Sequence, residues 1–402
     1  MEKFFIKTYG CKINQYDSAI LRAHFTSLGL GETDKIEEAD YIIINTCVVT
    51  HRAERDARHF LNRVKRRKKL NAKVYFTGCG ANYLPQPDVD FFGDFQSLSR
   101  VLGITKIFPE FSRSRPFVKV QEGCDFKCTY CVVPQVRGGS RSRELHSIIE
   151  EIRFHVQNGA KEIVLTGTQI GDWGKEWGKN FSELIEKIVE LEGEFRIRIS
   201  SMAPIHVSDN LLKLFIKYPE RLAPHFHISL QSGSEKVLKD MKRPYSIEKY
   251  VEIIWKIYDS IENVAIGTDI IVGFPTESDG DFEQTVKVVE TLPFAYLHVF
   301  EYSPRPGTEA FNLGDIPSQI KRKRVHRLLG LVEEKRKNFK KSNIGRKLQV
   351  LVESRKNGYF CGTSENYLRV LIKSEKLQPG EFVKTRVTDI HDHDRDVFGE
   401  VL

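Results

Sequence analysis

Short apolar runs alternate with helix-period stretches along the first hundred residues. The three runs cover residues 4–6, 41–44 and 74–76. Continuous apolar runs of this kind are typical of strands buried on both faces. Between the first two, Leu21, Phe25 and Leu28 recur at helical spacing, and Gly29 stands where such a helix would end. Strands that alternate with helices in this way predict a parallel sheet with crossover helices.

The same alternation continues through the central part of the chain. Strand-like runs occur at residues 117–120, 162–166, 196–200, 225–230, 265–272 and 295–300. A helical stretch at 144–158, ended by Gly159, separates the first two. Six such units in this length predict an open, partial (β/α)6 barrel, because a full eight-unit barrel typically takes about 250 residues.

The pattern changes again toward the C-terminus. Val325, Leu328, Leu329, Val332 and Phe339 share one face of a helix that we predict within residues 317–341. After it come short alternating runs at 348–352, 367–372, 382–387 and 397–402, separated by turn pairs at 357–358 and 379–380. These runs predict a small antiparallel β-barrel.

The pattern therefore divides the chain into three domains. A break at residues 111–116 predicts a linker. We place a Rossmann-like parallel-sheet domain at 1–112, the partial barrel with its basic C-terminal helix at 113–341, and the small β-barrel at 342–402.

Composition narrows the class of protein. The chain has 402 residues, 40% of them hydrophobic, which indicates a folded globular protein. There is no membrane-length apolar run and no secretory signal at the start, so we expect a cytoplasmic protein with no membrane partner and with reduced thiols.

Charge is concentrated in one segment. Residues 317–341 hold ten basic and two acidic residues, whose difference equals the formal net charge of +8. A solvated helix face is the simplest interpretation of a basic run. A polyanionic partner becomes the better interpretation where other features indicate RNA.

Three of the seven cysteines form a compact motif. Cys124, Cys128 and Cys131 have C-x3-C-x2-C spacing within one loop. Thiolates at this spacing suit a zinc ion or an iron–sulfur cluster, and a disulfide is a further alternative. A structural zinc site usually has four ligands. Three thiolates on a cubane would leave one iron open to another ligand, and we favour this interpretation.

Three other cysteines follow strands. Cys11, Cys47 and Cys79 each come within a few residues of the end of a predicted strand in the first domain. Because the carboxyl ends of parallel strands meet at one edge, these thiols are expected to converge and to hold a second cluster. The alternative is that they are ordinary core residues. Cys361 stands apart from both sets, and we interpret it as structural.

Together, the six cysteines and the three-domain order resemble the radical S-adenosylmethionine (SAM) methylthiotransferases. The resemblance implies an auxiliary [4Fe-4S] cluster on Cys11, Cys47 and Cys79, and a SAM-binding [4Fe-4S] cluster on the other three. It also implies that the C-terminal barrel is a TRAM domain, which binds RNA. Tyr130 would lie near the adenine of SAM. Other expected SAM contacts at the strand ends are Thr166, Gly167, Gln169, Ser200, Gln231 and Gly273.

Several motifs are most similar to the branch that acts on N6-threonylcarbamoyladenosine (t6A) at position 37 of tRNA. These motifs are residues 10–15, 45–50, 299–308 and 363–370. Two residues depart from that branch: Tyr9 is closer to the branch that acts on isopentenyladenosine, and Thr276 replaces a usual glycine. The alternatives are isopentenyladenosine-37, a ribosomal-protein aspartate, and a non-catalytic RNA-binding iron–sulfur sensor.

The resemblance also implies the chemistry and the partners. A SAM-derived radical would activate adenine C2, the auxiliary cluster would supply sulfur, and a second SAM would methylate it. The expected partners are the anticodon loop of tRNA and, as electron donor, reduced flavodoxin or ferredoxin; the sulfur donor is not specified. The residues we expect to contact the substrate are Arg137, Arg141, Arg143, Arg305, Lys321, Arg322 and Tyr367.

Overall fold

The computed structural model describes residues 1–111, 114–391 and 396–402. The predicted boundary between residues 112 and 113 and part of the predicted linker lie outside these ranges. Within them, no helix combines the length and the apolar character that crossing a bilayer requires.

The N-terminal domain is a five-stranded parallel sheet with strand order β2-β1-β3-β4-β5. Its elements are β1 (Lys3–Thr8), α1 (Lys12–Ser27), β2 (Gly31–Glu32), β3 (Tyr41–Thr46), α2 (His51–Arg67), β4 (Lys73–Gly78), β5 (Phe91–Phe92) and α3 (Phe95–Val101). Gly29 follows α1 with φ of +79°, a conformation that favours glycine at a helix end. The Thr50 hydroxyl accepts a hydrogen bond from Ala53 N–H and caps α2. The predicted parallel sheet is confirmed.

The central domain is a partial barrel of six parallel strands. Its elements are β6 (Phe117–Glu122), α4 (Val133–Arg137), β7 (Arg141–Ser142), α5 (Leu145–Gln157), β8 (Glu162–Gly167), α6 (Phe181–Val189), β9 (Arg196–Ile199), α7 (Asp209–Lys217), β10 (His225–His227), α8 (Glu235–Asp240), α9 (Ile247–Ser260), β11 (Ala265–Val272), α10 (Asp279–Thr291), β12 (Tyr296–Glu301) and α11 (Ser318–Ser342). A bridge between Met202 and Ile228 links the β6-β8-β9 and β10-β11-β12 sections. The short β7 pairs antiparallel at the edge of β6.

The C-terminal domain is a closed five-stranded barrel. Its strands are β13 (Lys347–Lys356), β14 (Tyr359–Ser364), β15 (Arg369–Ile372), β16 (Phe382–Ile390) and β17 (Asp396–Val401), in the closed order β13-β14-β15-β17-β16. The pair β15–β17 is parallel and the other four pairs are antiparallel. A fully antiparallel arrangement is impossible here, because directions cannot alternate around a closed ring with an odd number of strands.

Two buried arginines of β9 dock this small barrel beneath the central one. Arg196 donates to the carbonyl oxygens of Gln349 and Thr363 at 2.8 and 3.0 Å. Arg198 donates to those of Ser364 and Glu365 at 2.9 and 3.0 Å. Buried Glu162 pairs with both guanidinium groups. The small barrel therefore closes the central lumen at the end where the parallel strands begin. The cysteines lie at the other end, where the strands finish.

The basic helix α11 differs from the prediction in which of its apolar and basic side chains are buried. Leu328 and Val332 are buried, but Leu329 is 45% exposed, because it points away from the face that packs on the barrel. Lys321 is buried with its ammonium 2.8 Å from Asp315 Oδ1, and Arg324 is buried against Glu277 at 2.8 Å. These two cations are held by internal carboxylates, whereas Arg322 is exposed.

Candidate metal centres and active site

Strand ends bring the first cysteine set together. Cys11 follows β1, Cys47 follows β3, and Cys79 follows β4. Gly10 has φ of +97°, and a Cβ atom there would lie 2.8 Å from the sulfur of Cys47. Only glycine therefore allows the β1 loop to approach the β3 loop this closely. In addition to burial, the Cys11 thiol raises the pKa of Cys47 and of Cys79 electrostatically, and Cys79 raises that of Cys47, so the three thiols lie near one another.

Asparagine side chains fix the loops that carry these thiols. The Asn14 amide donates to the carbonyl oxygens of Tyr9 and Thr46 at 2.7 and 2.8 Å. The Asn45 amide donates to Asn14 O at 2.8 Å. The Thr46 hydroxyl accepts from Gly80 N–H at 3.0 Å. Each cysteine loop is thus tied to its neighbour, which holds the thiols in place before any cluster binds.

The second cysteine set lies in the loop between β6 and α4. Cys124 N–H donates to Gly138 O at 3.1 Å, and Cys131 N–H donates to Cys128 O at 3.0 Å. The Thr129 hydroxyl donates to the Asp240 carbonyl at 2.9 Å. These bonds anchor the loop to the segment after α4 and to α8, at the mouth of the barrel.

Burial makes both sets poor sites for free thiolates. It raises the pKa of Cys47 and of Cys131 to about 12, and that of Cys124 to about 11. Buried thiols with raised pKa values stay protonated at neutral pH unless a nearby cation stabilises the thiolate. A metal centre supplies that charge, because coordinated thiols are deprotonated. Both sets therefore fit a bound cluster.

Sulfur spacing distinguishes a cluster from a single ion. Among the described residues, neither cysteine set brings its three sulfur atoms within 4.8 Å of one another. One zinc ion needs all its ligand atoms close together, whereas each thiolate of a cubane binds a different iron. All seven cysteines are free, which also argues against a disulfide. The arrangement favours two cubane clusters over zinc.

One arginine connects the two cysteine regions. Arg137, at the end of α4, donates through Nε to Cys79 Sγ at 3.3 Å. Its other nitrogens pair with Glu122, Asn14 and Asp17. The sequence predicts that Arg137 contacts the substrate, but in the structure every guanidinium nitrogen already has an internal acceptor. It is better explained as the group that holds the N-terminal domain against the barrel.

Replacing Arg137 with glutamine is expected to destabilise the protein by about 3–5 kcal/mol, because the two carboxylates of Asp17 and Glu122 would then share the single positive charge of Lys119, which leaves a buried negative charge uncompensated. Denaturant unfolding of the anaerobic protein measures this. Arg141→Gln is the matched control: Arg141 is exposed, so its loss should change stability by less than about 0.5 kcal/mol. Equal small effects would show that Arg137 does not hold the domains together.

The other predicted arginines have different surroundings. Arg143 donates to Glu151 at 2.7 Å and to the Tyr16 hydroxyl at 3.0 Å. Arg305 is 1% exposed and donates to Glu54 at 2.7 Å. Internal carboxylates thus account for both side chains. Arg141 borders a cavity of about 300 Å³ beside Cys79.

The predicted SAM contacts lie along the strand ends. Thr166 and Ser200 are buried at the ends of β8 and β9, and Gly167 lies against Gln121. Gln169 N–H donates to Gln121 Oε1 at 2.8 Å, and Gln231 has φ of +72° after β10. Gly273 has φ of +74° and packs on the side chain of Lys321. These two features account for a glycine at this position even if Gly273 does not contact SAM. SAM binding by these residues stays a prediction.

Arg243 is a functional candidate that the sequence did not reveal. Its Nη1 lies 3.1 Å from Cys128 Sγ and 3.5 Å from the Tyr130 hydroxyl. Tyr245 accepts from its Nε at 2.9 Å, which orients the guanidinium toward the cysteine loop. Arg243 follows no recognisable motif, and only the fold brings it to Cys128.

Polar side chains of β10, β11 and β12 line the lumen. Asp269 accepts from His227 Nε2 at 3.0 Å and lies 3.1 Å from His298 Nδ1. These histidines hold the pKa of Asp269 far below its usual range, although burial opposes the shift. Tyr367, with φ of +70°, reaches in from the small barrel and packs on the rings of His225 and Tyr296. A contact between Tyr367 and the substrate stays a prediction.

Lys12 lies between the first cysteine set and this lumen. It begins α1 directly after Cys11, and its charge interacts with those of Arg115, Arg198 and Asp269. Burial and the two arginines lower the pKa of Lys12 to about 8. Within the described residues, no carboxylate lies at ion-pair distance from its ammonium. Lys12 is therefore a partly buried cation without a direct counterion.

Comparisons with known proteins cover most of the chain. Residues 118–289 match the radical SAM superfamily, and residues 3–91 match the uncharacterized protein family UPF0004. A threonylcarbamoyladenosine tRNA methylthiotransferase of Aquifex aeolicus is 38% identical over 381 residues, covering 87% of this chain and 92% of that protein. A tRNA-2-methylthio-N(6)-dimethylallyladenosine synthase of Aliarcobacter butzleri is 36% identical, covering 97% of each chain.

Solved structures show the same fold at low sequence identity. The radical SAM methyltransferase TsrM of Kitasatospora setae superposes with a TM-score of 0.57 at 12% identity, over 77% of this chain and 75% of that one.

Proposed function

The chain belongs to the radical SAM methylthiotransferase family, and we propose that it converts t6A at position 37 of tRNA to 2-methylthio-t6A. The protein is a tRNA methylthiotransferase that carries two [4Fe-4S] clusters and uses SAM. We propose the identity of the modified base on other grounds, since relatives of nearly equal sequence identity are named for different adenosines.

The bound cofactors supply a 5′-deoxyadenosyl radical from SAM and a sulfur atom for the adenine C2 position. The chain's own residues prepare the two sites. Arg243 places a positive charge beside Cys128, and Arg137 places one beside Cys79. Each guanidinium stabilises an anionic sulfur, so it favours the thiolate form that ligation requires. We also propose reduced flavodoxin or ferredoxin as the electron source.

Lys12 is the observation that favours t6A. The t6A substituent carries a carboxylate, and a carboxylate needs a cation or several N–H donors when it leaves water. Lys12 offers an ammonium at the boundary between the first cysteine set and the lumen, whereas the nearby Arg115 and Arg198 already pair with Glu353 and Glu162. Asp269 interacts with Lys12 electrostatically but forms no direct ion pair with it, and its two oxygens face His227 and His298.

The isopentenyl substituent would form no ionic interaction with Lys12. It is apolar and uncharged, and Lys12 would lose hydration without acquiring an ionic partner. A base in an anticodon loop can leave its stack at modest cost, so either adenosine could reach the lumen. The discrimination that we propose therefore arises from the substituent.

Purified, reduced and reconstituted enzyme tests this proposal directly. We expect tRNA with t6A37 to be methylthiolated orders of magnitude faster than tRNA with isopentenylated or unmodified A37, because a site with an unpaired polar group rejects analogues that cannot pair with it. Mass spectrometry of digested tRNA measures each product. Preferential formation of the methylthio-isopentenyl product would overturn the assignment. Failure to form any 5′-deoxyadenosine would instead support a non-catalytic iron–sulfur sensor.

A further inference from the structure

Helix α2 carries a continuous stripe of exposed cations. Residues 51–69 hold nine lysines and arginines and two acidic residues. Ala57, Phe60, Leu61 and Val64 form the buried face of the helix. The opposite face presents Arg52, Arg55, His59, Arg63 and Arg66, all of them exposed. Their spacing of three or four residues places them in one row along the helix.

These cations have weak internal partners. Arg52 and Arg55 approach the same carboxylate, that of Asp56, at 3.9 and 3.7 Å. Arg66 donates to a backbone carbonyl of its own helix, that of Asn62. Exposed pairs at such distances contribute little energy and are readily exchanged for other partners. The stripe thus retains most of its positive charge toward solvent.

The basic helix α11 is different in this respect. Lys321 and Arg324 are buried in ion pairs, and Arg327 pairs with Glu283. Lys335 donates to the carbonyl oxygens of Glu290 and Leu292, at the end of α10. Much of the charge that the sequence shows in α11 is therefore used to attach that helix to the barrel.

The stripe also begins at the active site. His51 N–H donates to the Ser303 hydroxyl at 3.3 Å, and Glu54 accepts from Arg305 at 2.7 Å. Ser303 and Arg305 follow β12, at the cysteine-bearing end of the barrel. Cys47 lies a few residues before α2. From this point the helix runs for 17 residues, which is about 25 Å.

We propose that the exposed face of α2 binds the phosphate backbone of the tRNA anticodon stem while position 37 occupies the barrel mouth. This inference rests on the proposed tRNA substrate. Phosphates are the complementary partner for a row of arginines without deep pockets, because backbone contacts fix orientation and need no base readout. A row that starts at the mouth and extends about 25 Å can follow several phosphates on one side of a stem.

The test compares two variants that each lose three positive charges. The first is Arg52→Gln, Arg55→Gln and Arg66→Gln, on the α2 stripe. The second is Lys323→Gln, Lys337→Gln and Lys341→Gln, on the exposed side of α11. Glutamine preserves helix propensity, so both helices should form. Iron content and the midpoint of thermal unfolding, equal to those of the unaltered protein, confirm folding in each case.

Binding of a tRNA anticodon stem-loop is measured against salt concentration. Each lost phosphate contact reduces the slope of log affinity against log salt by about 0.7 to 0.9, so the α2 variant should lose about 2 to 3. The α11 variant should keep a slope within about one contact of the original. Equal losses in both variants, or a loss only in the α11 variant, would overturn the proposal. An unchanged slope in the α2 variant would also overturn it.

Failure of the proposed function would look different. If the protein methylthiolated isopentenylated tRNA, the substrate assignment would fail while the salt-slope difference between the two variants would persist. If t6A-tRNA were the substrate and the α2 slope did not change, only the interface would be wrong.

Discussion

Replacing Cys124, Cys128 and Cys131 together with alanine is expected to abolish 5′-deoxyadenosine formation and to leave about half of the iron. The chain carries two cubane clusters, about eight irons in all, and we propose that each is held by one of the two sets of three cysteines. The two sets lie in different domains and on different loops, so loss of one leaves the ligands of the other intact. Iron and sulfide analysis, with chromatography of the SAM cleavage products, measures both effects.

The matched variant replaces Cys11, Cys47 and Cys79. It should also keep about half of the iron, but it should still cleave SAM and should form no methylthio product. Cys361→Ala is the neutral reference, because this buried cysteine lies in the small barrel, away from both sets. Complete loss of iron in either triple variant, or zinc in place of iron, would contradict two independent clusters.

Most of this arrangement could be predicted because it depends on strand ends. A cysteine directly after a buried apolar run must lie at the carboxyl edge of a parallel sheet, and three such cysteines must lie near each other. The structure places Cys11, Cys47 and Cys79 in this way. His227, Asp269 and His298 lie within runs that the sequence predicts as strands, but only the fold shows that these three side chains face one another across the lumen.

The roles of individual cations could not be predicted, because sequence shows charge and not partners. Lys321 and Arg324 count as two positive charges in a basic segment, yet both are buried against carboxylates distant in sequence or across a loop. Arg137 follows the cysteine motif, which suggested the substrate, but three acceptors from other elements surround it. The nine basic residues within 51–69 are visible in the sequence, but only the structure shows which of them lie in one exposed row.

Lys12→Met is the change that we expect to separate t6A recognition from catalysis. It removes the ammonium and preserves most of the side-chain volume. Hydrogen bonds to charged groups contribute about 1.5–3 kcal/mol, so kcat/KM for t6A37-tRNA should fall by about 10- to 150-fold. Any activity on isopentenylated tRNA should change little, because that substituent carries no charge for Lys12 to pair with.

Lys12→Arg supplies the control, since it restores a positive charge at the same position and should recover part of the activity on t6A37-tRNA. Because Lys12 follows Cys11, cluster content must be measured in both variants. An equal fall in activity on both tRNAs, together with lost iron, would mean that Lys12 supports the auxiliary cluster. A selective fall with full iron content would place the threonylcarbamoyl carboxylate beside Lys12, between the auxiliary cluster and the lumen.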